Sequence, residues 1–221
     1  MRNLKRNKLL WTLAILCSIF LSNCKESPPK EKGDFRESDL VELVKLDSTF
    51  RLDIRYATSN NFVGRPVYTE AKAFLQRPAA LALVQVNNEL KPLGFELLIF
   101  DAYRPWSVTK IFWDITPKED RKFVANPQDG SIHNRGCAVD LSLYEISSGK
   151  EVDMPGEFDE MSERSHPDYK GGTDKQREMR DLLRSKMEAH GFTVYENEWW
   201  HFDYKDWEKY RILNFQFSEL K

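Results

Sequence analysis

Cysteine is scarce in this chain of 221 residues, with only Cys17, Cys24 and Cys137. A network of internal disulfides is therefore excluded, and stability must come from an apolar core or a bound ion. An excess of one charge is lacking as well. Lys and Arg number 33 against 35 Asp and Glu, a formal net charge of −2. That balance argues against a basic nucleic-acid surface or a polybasic membrane patch. The longest apolar run, Leu9 to Leu21, falls short of the roughly 20 residues that a membrane-spanning helix needs. What remains is 41% hydrophobic and 31% charged, which suits one globular domain with a sizeable core.

The N-terminus has a layout of its own. Arg2, Lys5, Arg6 and Lys8 form a cationic start before the short apolar run, as in a secretory signal peptide. The run closes on Leu21-Ser22-Asn23-Cys24, which resembles a bacterial lipoprotein box with Cys24 as the lipid-bearing residue. The expected organisation is a signal peptide over 1–23, a charged, solvated tether over 24–38 and a catalytic domain over 39–221. The expected location is outside the cytoplasm, periplasmic or at the cell surface, held to a membrane through Cys24. With Cys17 discarded and Cys24 acylated, Cys137 has no partner for a disulfide.

Periodicity predicts the elements. Asp39 to Leu46 alternates as a strand, and Pro78 to Leu93 carries apolar residues at helical spacing, with Gly94 as its stop. Phe95 to Phe100 reads as a strand that runs into Asp101-Ala102-Tyr103-Arg104-Pro105, and Trp106 to Ile115 as a short helix. Between Cys137 and Leu143, the residues Cys137, Val139, Leu141 and Leu143 share one face and Asp140 takes the other. Asp174 to His190 is the strongest helix: Thr173 and Gln176 make a capping box, Met179, Leu182, Leu183 and Met187 form a stripe, and Gly191 ends it. Thr193 to Tyr195 and Trp199 to Asp203 read as closing strands. The irregular order of strands and helices predicts an α+β fold with helices packed on a mostly antiparallel central sheet.

Of the four histidines, two stand in dense polar surroundings, Ser131-Ile132-His133-Asn134-Arg135-Gly136-Cys137-Ala138-Val139-Asp140 and Glu198-Trp199-Trp200-His201-Phe202. A hydrolytic zinc site needs three N or O ligands and one open position. His133, Asp140 and His201 can supply the ligands, with Glu198 as the base for the attacking water. Residues three apart on a straight strand point to opposite faces. Glu198 and His201 therefore share a site only if the chain bends between them or Glu198 precedes the strand, and the second is expected. Cys137 lies on the face opposite Asp140 and reads as core. His166 reads as a rim or surface residue and His190 as a helix-terminal cation. Spacing alone leaves two readings open, a zinc site and a buried polar network.

A resemblance separates them. Residues 131–140 match S-x-H-x-x-G-x-A-x-D and 198–201 match E-x-x-H, a pairing similar to the zinc D,D-peptidases that share the Hedgehog-domain fold. Tyr56-Ala57-Thr58, Asn61-Phe62, Asp101 to Pro105, Phe158-Asp159 and Glu198 to Phe202 together resemble the D-alanyl-D-alanine dipeptidases of vancomycin resistance. That resemblance implies one zinc ion on His133, Asp140 and His201, Glu198 as catalytic base and Arg104 opposite the tetrahedral intermediate. It also implies that Asp159 receives the substrate ammonium and that Ser131 lines the same pocket. The activity implied is hydrolysis of D-alanyl-D-alanine, with no nucleic-acid or obligatory protein partner. A D,D-carboxypeptidase or peptidoglycan endopeptidase is the alternative within enzymes, and a non-catalytic zinc-stabilised module the alternative outside them. If Cys24 carries lipid, the mature protein partitions into the detergent phase and Cys24→Ala is released in soluble form. A freely soluble wild-type protein would reject the anchor.

Overall fold

The structure is a computed structural model that describes residues 27–220, so the signal-peptide segment and Cys24 lie outside the described residues. In chain order the elements are β1 (Leu40–Glu42), α1 (Leu43–Leu46), β2 (Arg51–Leu52), β3 (Phe74–Gln76), α2 (Arg77–Leu90) and β4 (Phe95–Asp101). They are followed by α3 (Trp106–Ile115), β5 (Ala138–Glu145), β6 (Lys150–Glu151), α4 (Asp174–Ala189), β7 (Phe192–Tyr195) and β8 (Glu198–Tyr204). The main sheet runs β2-β4-β5-β8-β7, with β6 on β5, and β1 pairs with β3 apart from it.

The α+β class is as expected, but the sheet is mixed rather than mostly antiparallel. Arg51 and Leu52 run parallel to Leu98 and Ile99 of β4. Parallel neighbours need a long crossover, and here it passes through β3 and α2 before β4 begins. The expected strand over 39–46 is also shorter than its alternation suggests. Its partner β3 offers only Phe74 to Gln76, so the chain turns helical from Leu43 once the pairing ends. Asp47 anchors that turn by accepting bonds from Thr49, Asn87 and Lys91.

Helical spacing places Ala79, Ala80, Leu83, Val86 and Leu90 of α2 in the core, and Gly94 stops the following single turn at φ +90°. Helix α4 carries the predicted capping box of Thr173 with Gln176 and buries Met179, Leu183 and Met187. The two helices pack on each other and on the sheet. Val139, Leu141 and Leu143 of β5 are buried in this core, and so is Cys137, whose thiol burial pushes up to about 12. Alternation then leaves Asp140 on the far face. The segment 27–38 is largely exposed, yet it is docked on the C-terminal stretch through Glu31 and through Arg36, which meets Asp206 at 2.9 Å.

Candidate metal centre and active-site cleft

His133 rides on a single 3-10 turn, Ile132–Arg135, whose start is a capping box: Ser131 Oγ accepts the His133 amide and Asn134 Oδ1 accepts the Ser131 amide. Gly136 ends the turn at φ +69°, and a Cβ there would stand 2.4 Å from Leu40 Cδ2. Only glycine combines that conformation with that closeness. It lets the chain fold back directly into β5. Asp140 then sits two residues into β5 from Ala138, directly opposite His201 of β8. Sheet register thus supplies two of the three candidate ligands and the turn supplies the third.

The three side chains converge. His133 Nε2 lies 3.3 Å from Asp140 Oδ2, His201 Nδ1 lies 3.0 Å from Asp140 Oδ1, and the two ring nitrogens are 3.2 Å apart. One donor atom from each falls within 4.8 Å of the others. The outer nitrogens are committed elsewhere. His133 Nδ1 meets the Ala102 carbonyl at 2.7 Å and His201 Nε2 meets Asp203 Oδ1 at 2.9 Å. A carbonyl only accepts, so His133 carries its proton on Nδ1, and the Asp203 carboxylate draws the His201 proton to Nε2. Burial opposes a charge on His201, but its contacts with Asp140 and Asp203 outweigh that and raise the ring's proton affinity well above the usual imidazole range, so that a second proton on Nδ1 faces Asp140 Oδ1 at 3.0 Å. A divalent cation of N and O preference can take that proton's place among the three side chains, since metal binding at imidazole displaces protons. The residues present fit zinc.

Glu198 is the first residue of β8, not a residue before it as expected. The bend that the spacing demands is a β-bulge: Val194 pairs with Phe202, but the next residue, Tyr195, pairs with Glu198. The irregularity turns Glu198 to the side of His201, with Oε2 3.7 Å from Nδ1. Burial raises the Glu198 carboxyl above the usual carboxylate range, while the His201 ring opposes that rise and the Asp140 charge adds to it. Arg104 is buried and fixed. Its Nε and Nη2 both donate to Asp101 Oδ2, at 2.9 and 2.8 Å, and its guanidinium lies over the Tyr56 and Phe112 rings. Asp101 Oδ1 is itself held by the Tyr68 hydroxyl and the Ala102 amide.

His133, Asp140, His201, Glu198 and Arg104 line one cleft of about 570 Å³, together with Ser131, Asp159 and Trp200. Over this architecture, the family described as D-ala-D-ala dipeptidase matches residues 36–220. The chain belongs to that family. It is 35% identical over 184 residues to the D-alanyl-D-alanine dipeptidase of Escherichia coli (strain K12), covering 82% of this chain and 94% of that one. The D-alanyl-D-alanine dipeptidase of Enterococcus faecalis (strain ATCC 700802 / V583) is 35% identical over 200 residues, covering 82% and 98%. Among solved structures, the LdcB LD-carboxypeptidase overlaps 80% of this chain and 74% of its own at 22% identity, with a TM-score of 0.44. Members of the family are zinc enzymes, in keeping with the donor set.

Within this dipeptidase-family chain, every candidate from the sequence lines the cleft. Asp159 takes φ +59°, the only positive φ among the described non-glycine residues. Such backbone strain concentrates at functional sites. Tyr56 donates its hydroxyl to Asp159 Oδ2 at 2.9 Å. Burial, then the Asp140 charge, pushes the Asp159 carboxyl up to about 8, against the pull of that hydrogen bond. Ser131 lines the cleft and caps the His133 turn as well. His166 is a rim residue of the same cleft, and His190 pairs with Glu89 at 2.9 Å at the end of α4.

Sequence reasoning missed the supporting carboxylates Asp101 and Asp203. Asp203 stands two residues after His201, hence on the same face of β8, and that spacing was the available signal. Removing its support should cost about 10–100-fold in zinc affinity in Asp203→Asn. Cys137→Ser should keep stoichiometric zinc, whereas His133→Ala, Asp140→Ala and His201→Ala should each lose it. Metal analysis and chelator competition measure all of these variants, and zinc loss in Cys137→Ser would contradict the assignment of faces on β5.

Proposed function

We propose that the chain is an exported zinc dipeptidase that hydrolyses D-alanyl-D-alanine, with zinc held by His133, Asp140 and His201. The observation that carries this reading is the convergence of two imidazoles and a buried carboxylate, with the Glu198 carboxylate beside them in an open cleft. When bound there, zinc supplies a Lewis acid for the scissile carbonyl and acidifies the attacking water. Glu198 takes the water's proton and returns it to the leaving amine. Its raised proton affinity suits both halves of that task. Arg104 opposes the negative charge that develops on the carbonyl oxygen, an effect worth about 2.7–4 kcal/mol per donor. The pairing with Asp101 fixes the guanidinium in advance, so no reorganisation accompanies the charge.

Asp159 receives the substrate's free ammonium, and Ser131 contributes a hydroxyl to the same pocket. Without a cation Asp159 holds a proton near neutral pH, and an arriving ammonium restores its charge. A longer peptide presents a neutral amide at that position and loses this pairing, which favours the dipeptide over a muropeptide stem. A metal-stabilised module without activity has no use for Glu198 or for a guanidinium beside the metal centre. Export follows from the N-terminal signal peptide over 1–23, with Cys24 as the lipid anchor and 24–38 as the link to a catalytic domain over 39–221.

Glu198 separates catalysis from structure. Glu198→Ala should retain zinc and its melting temperature while D-alanyl-D-alanine hydrolysis falls about 10²–10⁴-fold. Arg104 needs a gentler probe, because Arg104→Ala orphans the buried Asp101, and breaking such a pair costs about 3–5 kcal/mol. Arg104→Lys keeps the charge and loses the two-bond geometry, so kcat should fall with little change in KM. A stable, zinc-loaded Glu198→Ala protein with near wild-type turnover would end this mechanism.

A further inference from the structure

The turn that bears His133 is gripped by a residue more than a hundred positions upstream. Arg135 closes that turn, and its Nη2 donates to Glu31 Oε1 at 2.6 Å while its Nη1 donates to the Tyr210 carbonyl. Glu31 Oε2 accepts the Ile212 amide at 2.7 Å, and the Glu31 carbonyl accepts Arg211 Nη1 at 3.1 Å. The Leu213 amide in turn donates to the Asn134 carbonyl at 2.9 Å. Both the N-terminal segment and the C-terminal stretch are thus tied to one short turn. The Arg135 and Glu31 side chains are only 11% and 18% exposed, so solvent screens their pairing far less than that of a surface pair. Glu31 also lies upstream of residues 36–220, the span that matches the family.

We infer that Glu31 is a positioning residue for the metal centre, a clasp that holds Arg135 and, through it, the turn carrying His133. The inference rests on the reading of His133 as a ligand. Short 3-10 turns have poor internal hydrogen-bond geometry and depend on what holds them from outside. This one carries two duties. It aims His133 Nε2 at Asp140, and its His133 carbonyl accepts the Arg104 amide at 3.1 Å. Without the Glu31 carboxylate, the Arg135 charge is left half-buried and the Ile212 amide loses its acceptor. The turn then samples positions in which the three ligands no longer meet, and each such position weakens the hold on a metal, because ligand geometry tolerates errors of only about 0.5 Å.

The test uses the full chain with Glu31→Ala and Glu31→Gln. Glu89→Gln serves as the control, removing an exposed pairing with Lys186 and His190. Zinc affinity is read by chelator competition. Amide hydrogen exchange is read on metal-free protein at Asn134 and Gly136, which both donate within the turn. Both Glu31 variants should bind zinc about tenfold more weakly, the low end for supports beyond the ligands themselves. Exchange should accelerate at Asn134 and Gly136 but not in β5 or α4, and Glu89→Gln should change neither readout. Wild-type zinc affinity and wild-type exchange in Glu31→Ala would overturn the clasp, as would faster exchange spread evenly over the sheet. If Glu31→Ala does not fold, Glu31→Gln decides on the same readouts, since it keeps an acceptor for Ile212. A wild-type protein that binds no zinc would sink the functional reading, while the exchange measurement would still test the clasp.

Discussion

Everything in the cleft depends on one buried carboxylate, Asp140, against which the fold holds two imidazoles. Asp140 and His201 face each other because β5 and β8 are in that register. His133 joins them because Gly136 lets its turn fold straight back into β5. Ala102 and Asp203 hold the outer ring nitrogens, so both inner nitrogens stay aimed at the carboxylate. The arrangement costs free energy unless a cation sits among the three side chains. The centre is therefore a site in which the outer hydrogen bonds, and not the ligands alone, dictate what binds.

The same logic of restrained polar groups extends to the reacting groups. Arg104 cannot wander, because Asp101 takes two of its N–H groups and is held in turn by Tyr68 and Ala102. Glu198 is aimed by a bulge and Asp159 by a strained backbone, and both line the same cleft. Local irregularities of this kind mark where stability yields to geometry. The apolar side of β5 and the buried stripes of α2 and α4 supply the compensating core.

Much of this was legible in the residues themselves. The alternation through Cys137 to Leu143 separates core from cleft without any structure, because a strand of period two offers no second choice. Helix α4 could be read from its capping box and stripe, since both signals are local. The misreadings share a different cause. Whether Leu43 continues a strand depends on how long β3 is, and the parallel pairing of Arg51 and Leu52 depends on a crossover that the two residues do not encode. The bulge at Glu198 is a property of β7 against β8, so spacing on β8 could state the need for a bend but not its form. Glu31 stands in a charged stretch that composition assigns to solvent, and only its partners, more than a hundred residues away, reveal otherwise.

The central claim is that the ion sits between two imidazoles and a carboxylate, and the ion's own coordination shell tests it most directly. Zinc X-ray absorption on the full-length protein, loaded with one equivalent of metal, should show nitrogen and oxygen donors alone. Their distances should be about 2.0–2.2 Å, with the outer-shell scattering of two imidazole rings. A sulfur shell at about 2.3 Å, or the signature of a single imidazole, would contradict it.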